Sequence, residues 1–378
     1  MKTIPNPVLL KWARERSKIS IDQLADMIKQ DPDTIRSWEA GEDAPTYAVL
    51  ESLAYSHLKV PLAIFYFPIP PEMDDPVEKF RRLPGQELRR LSPNTLQMIR
   101  RGQAYQDSLL DLLGRPQSER IFEVITGEAS AASLAQRARK HLGITLEQQV
   151  GFGDCERAFK AWRRAIQQAG VFTFKDALKD RFISGFSLMD KYYPIIMVNN
   201  STAFARQVFT LAHELGHILY GVNGVTDSDE AYMWRMSSQD QALEVACNNF
   251  AAQMLVPDEA FEAEVPRFRV QGIAAVESLA GKYSVSREVI LRKCLDRDLV
   301  TQHEYEEMAE KWNRDYLRSS ARKQGGNYYL TRLAYLGEGF VRVAFDQFRA
   351  GRVTKTELAG HLNMNARHLK KLQGYLGW

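Results

Sequence analysis

A five-residue motif, His213-Glu214-Leu215-Gly216-His217, constrains this chain more than any other segment. On an α-helix, residues four apart lie one turn above each other on the same face, so both imidazoles can bind one metal ion. Glu214 then faces a metal-bound water as a general base. The sequence predicts a helix over residues 204–220 after a strand over 193–200, with the chemistry of a zinc-dependent peptidase. The alternative is a buried helix with two hydrogen-bonded histidines.

A zinc-dependent peptidase needs a third protein ligand, and a second helix offers one. Glu244 begins a small-residue, apolar helical run that Pro257 ends. Asn248 lies one turn further on the same face, where it could hydrogen-bond a ligand or the substrate. The alternative for Glu244 is an exposed carboxylate in the first turn, favoured by the helix dipole. We rank three rival ligands lower because no predicted helix holds them: Asp227, Asp229 and Glu230.

These two segments together resemble the ImmA/IrrE metallopeptidases. That family carries HExxH followed by E-x-x-A-N-x-F-A-A-x-L-L-x-P, and the second pattern begins here at Glu244. Cys247 and Met254 replace an alanine and a leucine of the pattern, and we expect both to leave the metal site undisturbed. The resemblance spans residues 150–310 and implies cleavage of a repressor or antitoxin-like protein. The residues that it implies as Zn²⁺ ligands are His213, His217 and Glu244.

Short helices near the N-terminus form a second, separate signal. Ser20 and Gln23 predict a capping box for one helix, and Asp31-Pro32 begins the next, which ends at Gly41. This layout resembles the XRE (Cro/repressor-like) helix-turn-helix family, which implies that residues 32–39 form the recognition helix. The alternative is a domain that docks the protein substrate. The side chains available to DNA are Asp33, Thr34, Arg36 and Ser37.

The charge pattern around this module is mixed. Asp31 and Asp33 place negative charge at the end of the helix that would approach phosphates, and Arg36 is its only cation. A basic segment from Lys79 to Arg101 follows, with seven cations against one carboxylate. We favour DNA-backbone contact for this segment over a solvated helix face packed on the peptidase domain. The chain's net charge of +3 is too small to indicate nucleic acid by itself.

Composition divides the chain into four segments. The Pro-rich stretch at residues 67–76 cannot continue a helix and marks a linker. We predict a helix-turn-helix domain over 1–70, a linker and basic helical segment over 71–125, a metallopeptidase domain over 126–320 and a C-terminal helical segment over 321–378. The predicted fold class is mostly α (α+β): a four- to five-helix N-terminal domain, a zincin-like α+β core with a small sheet, and a C-terminal helical extension.

The C-terminal segment carries a further helical pattern. The pattern over residues 328–348 predicts one long helix, and the pattern over residues 354–372 resembles a helix-turn-helix. We favour a packing element over a second DNA contact, because the cations occupy one turn of a short helix. Those side chains are Arg367, His368, Lys370 and Lys371.

Cysteine usage and hydropathy bear on the compartment. The three cysteines, Cys155, Cys247 and Cys294, are scattered and form no C-x-x-C pair, which argues for a reducing compartment and a cytoplasmic protein. The first residues lack the apolar core of a signal peptide, and no apolar run reaches bilayer length, so we expect no membrane partner. The sequence leaves a homodimer open.

Two functions remain open from the sequence. The first is a regulatory endopeptidase with Zn²⁺ and the general base Glu214, which its helix-turn-helix brings to a target repressor or to operator DNA. A strand at 193–200 would then pair with an extended substrate. Tyr220 or Tyr232 could assist the oxyanion, but we favour core packing for both tyrosines. The second is a transcription regulator or antitoxin whose metal site is silent or only senses a ligand. An intact Glu214 favours the peptidase.

Overall fold

We describe a computed structural model over residues 5–71 (apart from 18, 59 and 61), 93–115, 130–177, 183–227 (apart from 223), 238–320 and 326–377. The chain divides into two compact units, which meet in the sequence between Arg101 and Gly102, inside the predicted linker segment. Residues 79–92 of the predicted basic segment lie outside the described residues. Among the described helices, none is both long and apolar enough to cross a membrane.

The N-terminal unit is helical, and its short helices start at side-chain caps. Ser20 and Gln23 form the expected capping box, and the carboxylate of Asp31 accepts a hydrogen bond from the next helix's first turn, at the Asp33 N–H (2.9 Å). The predicted helix-turn-helix fold is confirmed. Its elements are α1 (Pro7–Arg16), α2 (Ile21–Ile28), α3 (Pro32–Ala40), α4 (Tyr47–Ser52), a π-helical segment (Leu53–Leu58) and a 3₁₀ segment (Leu62–Tyr66).

A buried ion pair holds α1 against α3. The guanidinium of Arg14 donates from Nε to Glu39 Oε1 at 2.6 Å and from Nη2 to Oε2 at 2.9 Å, and both side chains are about one-tenth exposed. This two-point geometry fixes direction as well as distance. The apolar residues that close around it include Leu9, Leu24, Ile35, Trp38, Leu50 and Phe65.

The C-terminal unit is an α+β domain followed by further helices. One small sheet is the only strand structure among the described residues, which confirms the mostly α (α+β) fold class. The elements from Pro93 onward are α5 (Pro93–Leu113), α6 (Ala131–Leu142), α7 (Leu146–Val150), α8 (Cys155–Gln168), β1 (Phe172–Asp176), β2 (Ile183–Leu188), β3 (Ile195–Asn199), α9 (Phe204–Leu219), β4 (Gly224–Asp227), α10 (Ser238–Leu255), α11 (Asp258–Glu262), α12 (Val265–Gln271), α13 (Ile273–Tyr283), α14 (Arg287–Leu295), α15 (Gln302–Ser320), α16 (Tyr328–Leu336), α17 (Glu338–Arg349), α18 (Lys355–His361), a 3₁₀ turn (Ala366–His368) and α19 (Leu369–Gly374).

The sheet has four strands in the order β1-β3-β2-β4. β1 runs parallel to β3, whereas β2 is antiparallel to both β3 and β4. The predicted strand at 193–200 is therefore central, and both of its edges are already paired. Our expectation that it pairs with a substrate backbone is wrong, because a central strand offers no unpaired N–H and C=O groups.

Helix α9 packs between the sheet and the helices α8 and α10, and α10 packs in turn on α6. The end of α10 is held by buried polar groups rather than by apolar contacts alone. Arg139 Nη1 donates to Gln149 Oε1 (2.6 Å) and to the Met254 carbonyl (2.7 Å), while the Gln149 amide donates to the carbonyls of Leu255 (2.8 Å) and Tyr283 (2.9 Å). Buried carbonyls at a helix C-terminus need such partners.

One arginine links the C-terminal helices to the α+β domain through several hydrogen bonds. Arg163 of α8 donates to the carbonyls of Thr173 (3.0 Å from Nε), Ala334 (2.6 Å) and Tyr335 (3.1 Å). The predicted single helix over 328–348 is wrong, because Gly337 separates α16 from α17 with φ +83°. A Cβ at Gly337 would lie 2.6 Å from Arg163 Nη2, so this close approach requires glycine.

Candidate functional site

Helices α9 and α10 bring three potential metal ligands together. His213 Nε2 lies 3.0 Å from His217 Nε2, and the two nitrogens lie 3.2 Å from Glu244 Oε2 and Oε1 respectively. The histidines are 1% exposed and Glu244 is 9% exposed. Glu244 is thus not the exposed first-turn carboxylate that the sequence left open. Among the described residues, this is the one group of three or more such side chains whose ligand atoms all lie within 4.8 Å of one another.

The arrangement fits a bound metal ion. Two nitrogen ligands at a tetrahedral zinc ion with ordinary bond lengths lie about 3.3 Å apart, close to the separations seen here. Asn248 supports the same conclusion: its Oδ1 lies 2.9 Å from His213 Nδ1, so the ring nitrogen N–H donates to the amide oxygen. His213 Nε2 then carries its lone pair toward His217 and Glu244. A cation between these three groups offsets the mutual repulsion of lone pairs and carboxylate.

The charge of Glu244 suits the same role. Burial raises the pKa of this carboxyl group, but the adjacent side chains of His213 and His217 lower it by more, so that the pKa lies well below its usual value. Glu244 is therefore an anion across the physiological pH range, as a carboxylate ligand must be.

Two glycines allow this close packing, and sequence reasoning missed both. A Cβ at Gly216 would lie 3.0 Å from the Phe250 ring and 3.5 Å from the Cys247 Cα, so α10 approaches α9 at this position. A Cβ at Gly224 would lie 2.3 Å from His217 Cδ2. The backbone of β4 therefore packs directly on the ring of His217. The sequence features that could have indicated this close packing are the glycine inside the HExxH motif and a glycine in a strand.

Other candidates fall around the cluster. Glu214 is fully buried beside His213 in the sequence. Cys247 is fully buried on α10, and burial raises the pKa of its thiol, which favours the neutral form; that this replacement leaves the metal site undisturbed stays a prediction. Tyr220 is half-buried at the end of α9. Asp227 ends β4, whereas Asp229, Glu230 and Tyr232 lie outside the described residues.

Family comparisons agree with this geometry. Residues 166–295 match the model of the IrrE N-terminal-like domain, a peptidase family, and this range contains all three clustered side chains. This part of the chain is therefore similar to the IrrE N-terminal-like domain. Residues 10–55 match a helix-turn-helix family model. Both resemblances drawn from the sequence are thereby confirmed.

Two curated relatives are each named as a radiation response metalloprotease, IrrE. The protein of Deinococcus radiodurans is 36% identical over 99 residues, which cover 26% of this chain and 29% of the relative. The protein of Deinococcus deserti is 32% identical over 108 residues, which cover 29% of this chain and 38% of the relative. The chain thus matches less than two-fifths of the length of either relative.

The helix-turn-helix unit presents α3 at its surface. The side chains of Asp33 and Arg36 are exposed, whereas Thr34 and Ser37 are partly buried. Arg36 forms an ion pair with Asp33 and lies 3.9 Å from Asp22. The one cation of α3 is therefore already surrounded by carboxylates of its own module, and carboxylates repel a phosphate backbone.

Proposed function

We propose that this protein is a zinc-dependent endopeptidase that cleaves a repressor or antitoxin-like protein and associates with operator DNA through its N-terminal module. The observation that carries the proposal is the buried cluster of His213, His217 and Glu244, with Glu214 next to the first ligand on the same helix. The relatives' names, as metalloproteases, support the same class of chemistry.

The donor set favours zinc over other divalent ions. Two imidazoles and one carboxylate are typical of catalytic zinc sites, which keep a fourth position for water or substrate. Magnesium and calcium prefer sites made of oxygen atoms only. A bound zinc ion would lower the pKa of a coordinated water and polarise the carbonyl of the scissile peptide.

The protein's own residues supply positioning and proton transfer. Glu214 would accept a proton from the attacking water and pass it to the leaving amine, which requires a carboxylate close to the ligands and shielded from bulk water. Asn248 would fix the ring orientation of His213 through the Nδ1 hydrogen bond. Gly224 would keep β4 close to His217, so that the site lies at the β4 edge of the sheet.

The presence of two modules supports a proposal for how the peptidase finds its substrate. A repressor or antitoxin-like substrate follows from the resemblance to ImmA/IrrE metallopeptidases. Co-localisation on an operator would raise the local concentration of enzyme around its substrate without new contacts at the peptidase site. Thr34 and Ser37 would contact base edges or phosphates, with Arg36 and Asp33 beside them on α3.

The decisive experiment combines metal content with cleavage. Purified full-length protein is loaded with Zn²⁺ and incubated with a panel of purified helix-turn-helix repressors from the same genome, and new N-termini are identified by mass spectrometry. Glu214→Gln should retain its bound zinc yet lose cleavage by at least about 100-fold. Glu259→Gln, an exposed carboxylate on α11, is the matched control and should cleave as the wild type does.

Two outcomes would contradict the proposal. Cleavage that persists in Glu214→Gln would exclude this residue as the base. Operator binding without any zinc-dependent cleavage by the wild type would leave a transcription regulator with a silent metal site, which is the alternative function.

A further inference from the structure

Residues 354–376, here called the C-terminal helix-turn-helix segment, contain three local structural features: a capping box, a left-handed turn and an N-cap. Thr354 and Glu357 form a capping box at α18: the Glu357 N–H donates to Thr354 Oγ1 (3.2 Å), and the Thr354 N–H donates to Glu357 Oε2 (2.6 Å). Asn363 turns the chain in the left-handed conformation, with φ 46°. Asn365 then caps the following helical stretch by accepting from the Arg367 N–H (3.1 Å).

The N-terminal module has the same three features at matching positions. Its capping box joins Ser20 and Gln23, its left-handed turn is at Lys29 with φ 55°, and its next cap is Asp31. Each lies 334 residues before its C-terminal counterpart. The buried positions follow the same offset, in the pairs Leu24 and Leu358, Ala25 and Ala359, Ile35 and Leu369, and Trp38 and Leu372. The capping residues, the left-handed turn and the buried positions of the N-terminal module therefore recur in the C-terminal helix-turn-helix segment without insertion or deletion.

We propose that the C-terminal helix-turn-helix segment binds duplex DNA, with residues 366–374 as its recognition helix. This second site goes beyond the proposed function, and it depends neither on peptidase activity nor on DNA binding by the N-terminal module. The four α3 positions expected to face DNA have cationic or titratable counterparts at the same offset. In order, Asp33, Thr34, Arg36 and Ser37 correspond to Arg367, His368, Lys370 and Lys371.

Charge separates the two segments clearly. Residues 20–40 carry two cations and five carboxylates, a formal charge of −3, whereas residues 354–374 carry four cations and one carboxylate, a formal charge of +3 with histidine neutral. DNA affinity depends mainly on cations that neutralise phosphates. The same backbone pattern therefore carries a net negative charge at residues 20–40 and a net positive charge, which favours phosphate contact, at residues 354–374.

The cations of the C-terminal segment are also better placed to contact a ligand. Among the described residues, neither Arg367 nor Lys370 has a carboxylate within ion-pair distance, and both are exposed. Arg367 Nε instead donates to His368 Nε2 (3.1 Å). Arg36 of α3, in contrast, is engaged by Asp33 and Asp22.

A tyrosine from α16 fixes the direction of the proposed recognition helix. The hydroxyl of Tyr329 lies 2.8 Å from His368 Nδ1, and its ring lies 5.1 Å from Lys371 Nζ. Tyr329 also stacks on Tyr375 with ring centroids 5.5 Å apart. These contacts hold the inner side of the helix against α16, whereas Arg367 and Lys370 are exposed.

Duplex DNA is the occupant that these observations favour. A short helix held by a tight turn on a preceding helix is the element that enters a major groove, and cations in its first two turns reach phosphates and base edges.

The test uses the full-length protein and a fluorescein-labelled, mixed-sequence duplex of about 30 base pairs, roughly three helical turns. Fluorescence anisotropy gives the affinity over a salt series. Arg367→Gln/Lys370→Gln should weaken binding at least about 10-fold near 0.1 M salt and reduce the slope of log affinity against log salt by about 1.8, or 0.9 per lost phosphate contact. Lys370→Gln alone should give half the change in slope, which guards against a folding defect in the double variant.

The matched control is Arg137→Gln/Lys140→Gln, an exposed arginine and lysine that are also three residues apart on one helix. This control and Arg36→Gln, which reports on the N-terminal module separately, should keep the wild-type slope to within about 0.5. An unchanged slope in Arg367→Gln/Lys370→Gln, or a loss of binding confined to Arg36→Gln, would overturn the proposal. Either result would leave the zinc-peptidase proposal untouched, because no catalytic residue is changed.

Discussion

Replacement of Gly224 by alanine tests whether β4 holds His217 in its ligand position. The added Cβ would lie 2.3 Å from His217 Cδ2 and 2.4 Å from Cγ, whereas non-bonded carbon atoms prefer about 3.5–4.0 Å. The ring or the strand must therefore move by about 1 Å or more. Movement of the strand is opposed by its pairing with β2 and by the hydrogen bond from the Gly224 N–H to Ser187 Oγ (3.1 Å). We expect the imidazole to move.

The expected magnitude follows from the tolerance of metal sites. Protein–metal bond lengths vary by about 0.2 Å, so a displacement several times larger removes His217 as a ligand. Loss of a residue that only supports a ligand already lowers metal affinity by about 10–100-fold. Loss of the ligand itself should cost at least about 100-fold, or about 2.7 kcal/mol.

The assay is competition for Zn²⁺ between the purified protein and a fluorescent chelator, with circular dichroism to check the fold. The control is Gly281→Ala in α13, where a Cβ meets nothing within 4 Å. That variant should keep its zinc affinity and gain up to about 1 kcal/mol of stability, because alanine favours helix over glycine. A folded Gly224→Ala protein with wild-type zinc affinity would refute the argument that β4 positions His217.

Three further predictions concern single buried contacts. Asn248→Ala should weaken zinc binding by about 10–100-fold in the same competition assay, because His213 loses its Nδ1 acceptor; an unchanged affinity would contradict this. Burial, aided by nearby positive charge, lowers the pKa of Lys175 to about 7, so the unfolded chain binds its proton more strongly between pH 7 and pH 10.5 and the stability of the native state rises with pH in that window. Lys175→Met should accordingly be more stable than the wild type at pH 7, by on the order of 3 kcal/mol in urea unfolding, with the difference shrinking toward pH 10; a difference that does not depend on pH would count against the buried amine. Arg14→Met should destabilise the N-terminal unit by about 3–5 kcal/mol, since it leaves the Glu39 carboxylate buried without its cation, and a thermal unfolding curve like that of the wild type would exclude this role.

Much of the fold could be predicted from local sequence patterns. The strand predicted over residues 193–200 and the helix predicted over 204–220 are present as Ile195–Asn199 and Phe204–Leu219, because strand and helix patterns are properties of short segments. The cluster of His213, His217 and Glu244 was accessible for a similar reason. Two ligands share one helix face, and the third is a carboxylate in an otherwise small-residue, apolar helical stretch, where burial demands a partner.

Features set by long-range packing were not accessible. The order of strands in the sheet depends on which edges pair, so the central position of the strand over Ile195–Asn199 could not be read from its own residues. The break at Gly337 depends on the approach of Arg163, which is distant in the sequence. The approach of Cys247 to Gly216 likewise arises from the packing of two helices that are separate in the sequence.

The small net charge of the whole chain conceals an uneven distribution of charge along the sequence. Charges of −3 over residues 20–40 and +3 over residues 354–374 cancel in the total, yet a phosphate responds only to charges within about one Debye length, roughly 10 Å at 0.1 M salt. Residues 20–40, with five carboxylates against two cations, gain little from counterion release, so the affinity of this segment for DNA must come from hydrogen bonds of groups such as Thr34 and Ser37 to bases. Affinity that depends on salt should therefore arise at the C-terminal segment, and affinity that depends on base sequence at α3.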